Sequence, residues 1–145
     1  MSKANATEND IVKFVFNFVA MPNYGAALQL NFHTADPGEA GTATTSAPTP
    51  INYTAKTLTR DATGWTICDV DGTPNANGSA AKSATTVTFD EIEVGFVGTE
   101  LWTHGSVSVV ATGQILYSGA LTQSILVSAL TTPIFPTGTI LFSED

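Results

Sequence analysis

The side chains in this chain that could hold a metal, move a proton or attack an electrophile are few: 13 acids, two histidines and one cysteine. Asp69-Val70-Asp71-Gly72 resembles the opening of a calcium-binding loop. Counting from Asp69, however, Pro74 stands where the glycine is needed and Ala80 where a bidentate glutamate is needed, so the segment reads as a turn after a strand. Asp90, Glu91 and Glu93 could share a divalent ion, but neighbours on a strand point to opposite faces, so Asp90 and Glu91 converge only across a bulge. A nucleophile with a histidine base would need His33 or His104. No Gly-x-Ser-x-Gly turn is present, and Cys68 beside Ile67 reads as a buried, inert thiol. His33 and His104 read as exposed polar residues at strand ends. No acid pair stands out for glycoside hydrolysis, and Gly95, Gly98, Gly105 and Gly113 form no phosphate-cradling motif. Trp65 and Trp102 read as core, with a sugar-stacking platform as the alternative. The residues thus predict no catalytic group, no cofactor and no metal site.

The elements that would position these groups are mostly strands. Residues 7–20 predict the one helix. Thr7 and Asp10 form a loose capping box, Ile11, Phe14, Val15, Phe18 and Val19 share a face at helical spacing, and Pro22 closes the segment. The alternation of Val12, Phe14, Phe16 and Phe18 keeps a strand as the rival reading. From Ala26 the period becomes two: Leu28, Leu30 and Phe32 point inward, and Gln29, Asn31 and His33 outward. Asp36-Pro37-Gly38 is a turn, and the Thr/Ala/Pro run to Pro50 is a loop with little to bury. Further strands are expected at 53–60, 65–70, 86–89, 93–97, 104–110, 115–117, 125–127 and 139–142. About eight or nine short strands separated by Gly, Pro, Asn or Asp predict an all-β, jelly-roll-like β-sandwich. The whole is one domain, with 1–22 an N-terminal arm or helix and 23–145 the sandwich.

Composition narrows the partners. Charged residues make up 12% of the chain, about half the usual share of roughly 25%, and threonine is the commonest residue. With a net charge of −8 and a pI near 4.4, the surface repels phosphate, which speaks against nucleic acid. A single cysteine excludes an internal disulfide framework. The start is polar, and the apolar stretch from Ile11 to Met21 carries Lys13 and is shorter than the about 20 residues a bilayer needs. A protein made in a cytoplasm, with no membrane partner, is the expectation. Few lysines guard the strand edges, so either the sheet closes on itself or sister copies cover it.

Several stretches, read in order, resemble a family of small tailed-phage virion proteins, labelled tail-fibre or minor structural proteins. The features are the N-terminal helix; the strand and turn from Leu28 to Gly41; the Tyr-led strand Tyr53 to Arg60; the Asn/Gly/Ala loop into a Val-Thr-Phe strand, Asn77 to Phe89; and Ile115-Leu-Tyr-Ser-Gly-Ala-Leu-Thr122 before a last apolar strand. The resemblance spans residues 7–142. The family's Thr-x-x-Gly-x-Trp segment is replaced here by Gly95 to Val110. The resemblance implies a non-enzymatic virion protein, and one compact acidic domain without a shaft suggests a capsid decoration (cement) protein on the exterior of the shell. Its partners would be the major capsid protein and copies of itself. The alternative is a tail, fibre or baseplate component that binds tail proteins or a host surface glycan. Ile11, Phe14, Phe18 and Met21 are the expected partner contacts, against a competing role as a lid on the sandwich's own core.

Overall fold

The computed structural model describes residues 2–143. Two residues, Ser2–Lys3 (β1), pair with a later strand before the chain turns into its helix, Asn5–Asn17 (α1). The helix starts and stops earlier than expected. Ala4 sits at its N-cap without a side-chain cap, and Thr7 does not cap: its hydroxyl donates to the Leu116 carbonyl at 3.0 Å. A threonine offered a carbonyl on a neighbouring strand satisfies that acceptor and ties the helix down. At the other end Phe18 takes a left-handed conformation, φ 54°, and the Val19 amide reaches back to the Lys13 carbonyl at 3.2 Å. The helix therefore ends four residues before Met21, ahead of Pro22.

All strands pair antiparallel. The five-stranded sheet runs β1-β8-β7-β2-β3, where β2 is Ala27–His33, β3 Lys56–Thr59, β7 Thr99–Val109 and β8 Ile115–Ser128. A three-stranded sheet, β10-β5-β4, is built from Trp65–Cys68 (β4), Ala80–Ser83 (β5) and Leu141–Ser143 (β10). Val87–Thr88 (β6) and Ile134–Phe135 (β9) form a two-stranded ribbon. The all-β expectation with one helix holds. The stretches expected at 115–117 and 125–127 belong to one strand, whose register against β7 jumps between Trp102 and His104. Residues 93–97 form a loop instead of a strand: Phe96 closes a turn onto the Glu93 carbonyl, and Gly98 at φ 89° redirects the chain.

The core lies between the sheets. Leu30, Phe32, Trp102 and Val107 of the large sheet meet Trp65, Phe142, Val87, Phe89 and Ile92. Its centre is aromatic, with Phe32 stacked on Trp102 at 5.5 Å and on Phe135 at 4.9 Å between ring centroids, and tilted against Phe89 at 5.0 Å. Aromatic pairs at such distances add to the hydrophobic gain of burying the rings. Tyr53 joins the cluster edge-on to Trp102 and accepts the Phe32 amide at 2.7 Å, and burial pushes its phenol up to about 12.

The burial pattern predicts opposite fates for two phenylalanines. Phe32→Ala should cost about 3–5 kcal/mol. Phe16→Ala, at a helix position 79% exposed, should stay within about 0.5 kcal/mol. Urea denaturation at dilute protein checks both, and a cost above about 2 kcal/mol at Phe16 would mean that α1 packs on the core.

Candidate functional site

The outer face of β2 explains where α1 ends up. Gln29, Asn31 and His33 alternate away from the aromatic core, yet Asn31 is 1% and His33 0% exposed. Both expectations for this face are corrected: Asn31 and His33 are shut away from water while Gln29 is half-buried, and the Thr/Ala/Pro run is not an idle loop. That run lies across the sheet, with Pro37, Pro48 and Pro50 buried, the Thr34 amide on the Ser46 carbonyl and the Ala43 amide on the Gly113 carbonyl. Beneath it runs a buried polar seam. Asn31 Nδ2 lies 2.9 Å from Ser108 Oγ and 3.3 Å from Ser106 Oγ. His33 Nε2 is 2.7 Å from Ser106 Oγ, and Nδ1 is 2.7 Å from the Thr45 carbonyl. A carbonyl only accepts, so Nδ1 carries the proton, Nε2 accepts from the Ser106 hydroxyl, and Ser106 in turn accepts from Asn31. Every member is partnered, which is what makes a polar interior tolerable.

With that face occupied, α1 has no sheet to cover. Its first turn is held by Ala4, Asn5 and Thr7 against the Leu116 and Glu39 carbonyls, and Asp10 accepts from the Tyr24 hydroxyl at 3.0 Å. Burial, then the neighbouring Asp10, pushes that phenol up to about 12. The rest of the helix faces solvent. Of the four predicted contact residues, Ile11 is half-buried, while Phe14 is 54%, Phe18 98% and Met21 38% exposed. The structure adds Val12, Val15, Phe16 and Val19, all at least 49% exposed. Helical periodicity singled out one stripe, but the apolar surface runs around the helix end. Phe18 is exposed in a left-handed conformation that costs a non-glycine residue about 1 kcal/mol. From Phe14 to Asn23 no side chain is ionisable.

The groups first considered for chemistry have other partners. Asp71 Oδ1 accepts the Thr73 amide and closes a turn. Asp90 pairs with Lys56 at 2.8 Å, and Glu93 accepts the Ile51 amide at 2.9 Å. Glu100 accepts from the Thr49 amide and hydroxyl and from Trp102 Nε1. Cys68 is buried. His104 opposes His33 in register, and its ring meets the Thr103 hydroxyl at 2.9 Å. Trp65 and Trp102 are 9% and 0% exposed, so neither offers a face for stacking a sugar. A cleft of about 890 Å³ opens between the sheets, lined by Leu28, Trp65, Val107, Tyr117 and Phe142. Its acid, Asp61, caps its own turn through Thr59, Thr63 and Gly64; hydrogen bonds from Thr63 come first in holding that carboxyl below its ordinary value. Among the described residues no helix is long and apolar enough to cross a membrane.

The geometry thus leaves an apolar surface bare at the helix end, and comparison with known proteins gives the family. The family model described as podophage GP4 fiber I protein gp80 matches residues 2–143. The chain belongs to that family. No curated protein matches it. The expected kinship with tailed-phage virion structural proteins therefore holds, and the fibre description favours the tail or fibre alternative over capsid decoration.

The seam makes stability depend on pH. Desolvation by burial holds the His33 imidazole below its ordinary value, opposed by the Thr45 carbonyl and Asp36 and reinforced by His104. The unfolded chain therefore takes up a proton near pH 6.5 before the folded one does, and stability present above that pH is lost as pH falls. Between pH 7.5 and 5.5 the folding constant should drop, by up to about tenfold. Urea midpoints measured across that window should fall in the parent protein and stay flat in His33→Gln.

Proposed function

We propose that this chain is a non-enzymatic building block of a phage fibre, working by contact with sister copies and neighbouring tail proteins through α1 and the segment after it. The observation that carries this reading is the exposed stretch Val12–Met21. Phe14 and Phe18, four residues apart, are 54 and 98% exposed, and Phe16, on the other side of the helix, is 79% exposed. Large apolar side chains bared together like this mark interaction sites. The acid-free stretch from Phe14 to Asn23 also lets a chain of net charge −8 approach its own copies.

The strain at Phe18 points the same way. A glycine would fit φ 54° more easily, so a large ring there makes sense where it gains something outside the monomer. The family supports the fibre reading, and contact without catalysis is supported by the partners already held by Asp71, Glu93, Glu100 and Asp61. Placement on the capsid exterior, bound to major capsid protein, is the weaker alternative, and a host glycan finds no exposed tryptophan.

Phe18→Gly separates folding from assembly. It should leave the isolated monomer as stable as the parent or up to about 0.5 kcal/mol more stable, the relief of the left-handed strain less the added chain entropy. The same variant should lower the number of copies carried by purified particles. Immunogold labelling of the parent protein should mark the tail vertex. Label spread evenly over the shell, or undiminished incorporation of the variant, would overturn the proposal.

A further inference from the structure

A second apolar surface lies at the other end of the β7–β8 hairpin. Hydrogen bonds gather its pieces: the Ile51 amide on Glu93, the Leu130 amide on the Ile92 carbonyl, and Leu101 opposite Leu126 across the ladder. There Ile51 is 95%, Val94 79%, Val97 93%, Leu126 62% and Leu130 61% exposed. Leu130, at φ 63°, repeats the signature of Phe18: an exposed large apolar side chain in a left-handed conformation. From Leu101 to Ser108, which faces Ile115 next to the helix anchor, the distance along β7 is roughly 24 Å at about 3.4 Å per residue.

The two surfaces differ in charge. The distal one is ringed by Asp90, Glu91, Glu93 and Glu100, with Lys56 the base among them. The helical one carries no acid between Ile11 and Asn23, and its charge there is the exposed Lys13. Pairing helix with helix offers Lys13 only Glu8 and Asp10 near the anchored start of α1, and pairing distal loops with distal loops brings acid against acid. Only the crossed arrangement sets Lys13 against the acidic ring while covering both apolar faces.

We propose that the distal loops around Val94, Val97 and Leu130 receive the α1 face of a second copy of this chain. This deepens the self-association proposed above and rests on it. The contact is heterologous, so it runs on as an open series of copies where the rotation between them does not close, and as a ring where it does. It gives a member of a fibre family a way to extend by repetition of one folded unit.

Sedimentation velocity on the full chain, from micromolar to about 100 μM, tests this with two variants at exposed positions. One is Phe14→Ser with Phe18→Gly, the other Val94→Glu with Val97→Glu. The parent should form a concentration-dependent series of oligomers, and each variant alone should stay monomeric. An equimolar mixture should form a one-to-one complex and nothing longer, since each variant keeps the half the other lacks. Lys13→Glu should weaken association about tenfold or more while the circular dichroism melt stays put, which covers the case of a distal variant that folds poorly. If the distal variant associates as the parent does, the helices pair with each other and this inference falls while self-association through α1 stands. If the helix variant also associates as the parent does, or the parent stays monomeric throughout, both fall.

Discussion

The constraint on which the rest of the structure depends is the double burial of β2. One side of that strand, Leu30 and Phe32, lies in the aromatic core, and the other, Asn31 and His33, lies in a polar seam sealed by residues 34–50. A sheet face bearing amide, imidazole and hydroxyl groups cannot be covered by an apolar helix without leaving donors and acceptors unpaired, each at a cost of about 1–3 kcal/mol. It can be covered by a loop that brings backbone groups, and the Thr45 carbonyl on His33 is the decisive one. Once the loop holds that position, α1 has only its first turn to anchor on the sheet edge, and its phenylalanines are left to water.

That chain of causes links the interior to the contact surface. Thr7 and Ala4 share the Leu116 carbonyl, so the helix is fixed in place at one end while its apolar end projects. Side chains with this exposure would be a solubility hazard in a protein meant to live as a monomer. In the proposed fibre, with copies set against one another, the same exposure would become buried area, and many weak contacts add up along a repeated structure. The low charge density fits that proposal, since neighbouring copies would meet hydroxyls and methyl groups more often than like charges.

Much of the fold was legible in the sequence, because period-two alternation and Gly/Pro/Asn punctuation are local signals. Leu28, Leu30 and Phe32 declared their strand and their inward side, and Trp65, Trp102 and Cys68 declared the core. The helix was legible, but its limits were not: Thr7 has the chemistry of a cap, and only the tertiary position of Leu116 diverts its hydroxyl. The burial of Asn31 and His33 was hidden for a related reason. Nothing local announces that a loop of threonine, alanine and proline will return over the sheet, and the serines that pair with Asn31 stand at 106 and 108, far along the chain. At the candidate contact, the sequence marked Phe14 and Phe18 but missed Phe16, because a helical stripe assumes a helix that packs on something. The loop at 93–97 alternates like a strand, and Gly98 at positive φ turns it into the exposed apolar edge that Val94 and Val97 form.

On the proposed reading, residues 12–21, bare in the free chain, are covered in the particle. Amide hydrogen exchange read by mass spectrometry, on the isolated protein and on purified virions, tests it most directly. The account predicts that peptides spanning Ile11–Met21 exchange readily in the free protein beyond the anchored first turn and become strongly protected in virions, while the already protected β2 and β7 change little. Equal exchange at 11–21 in both states, with new protection confined to other surfaces, would contradict it.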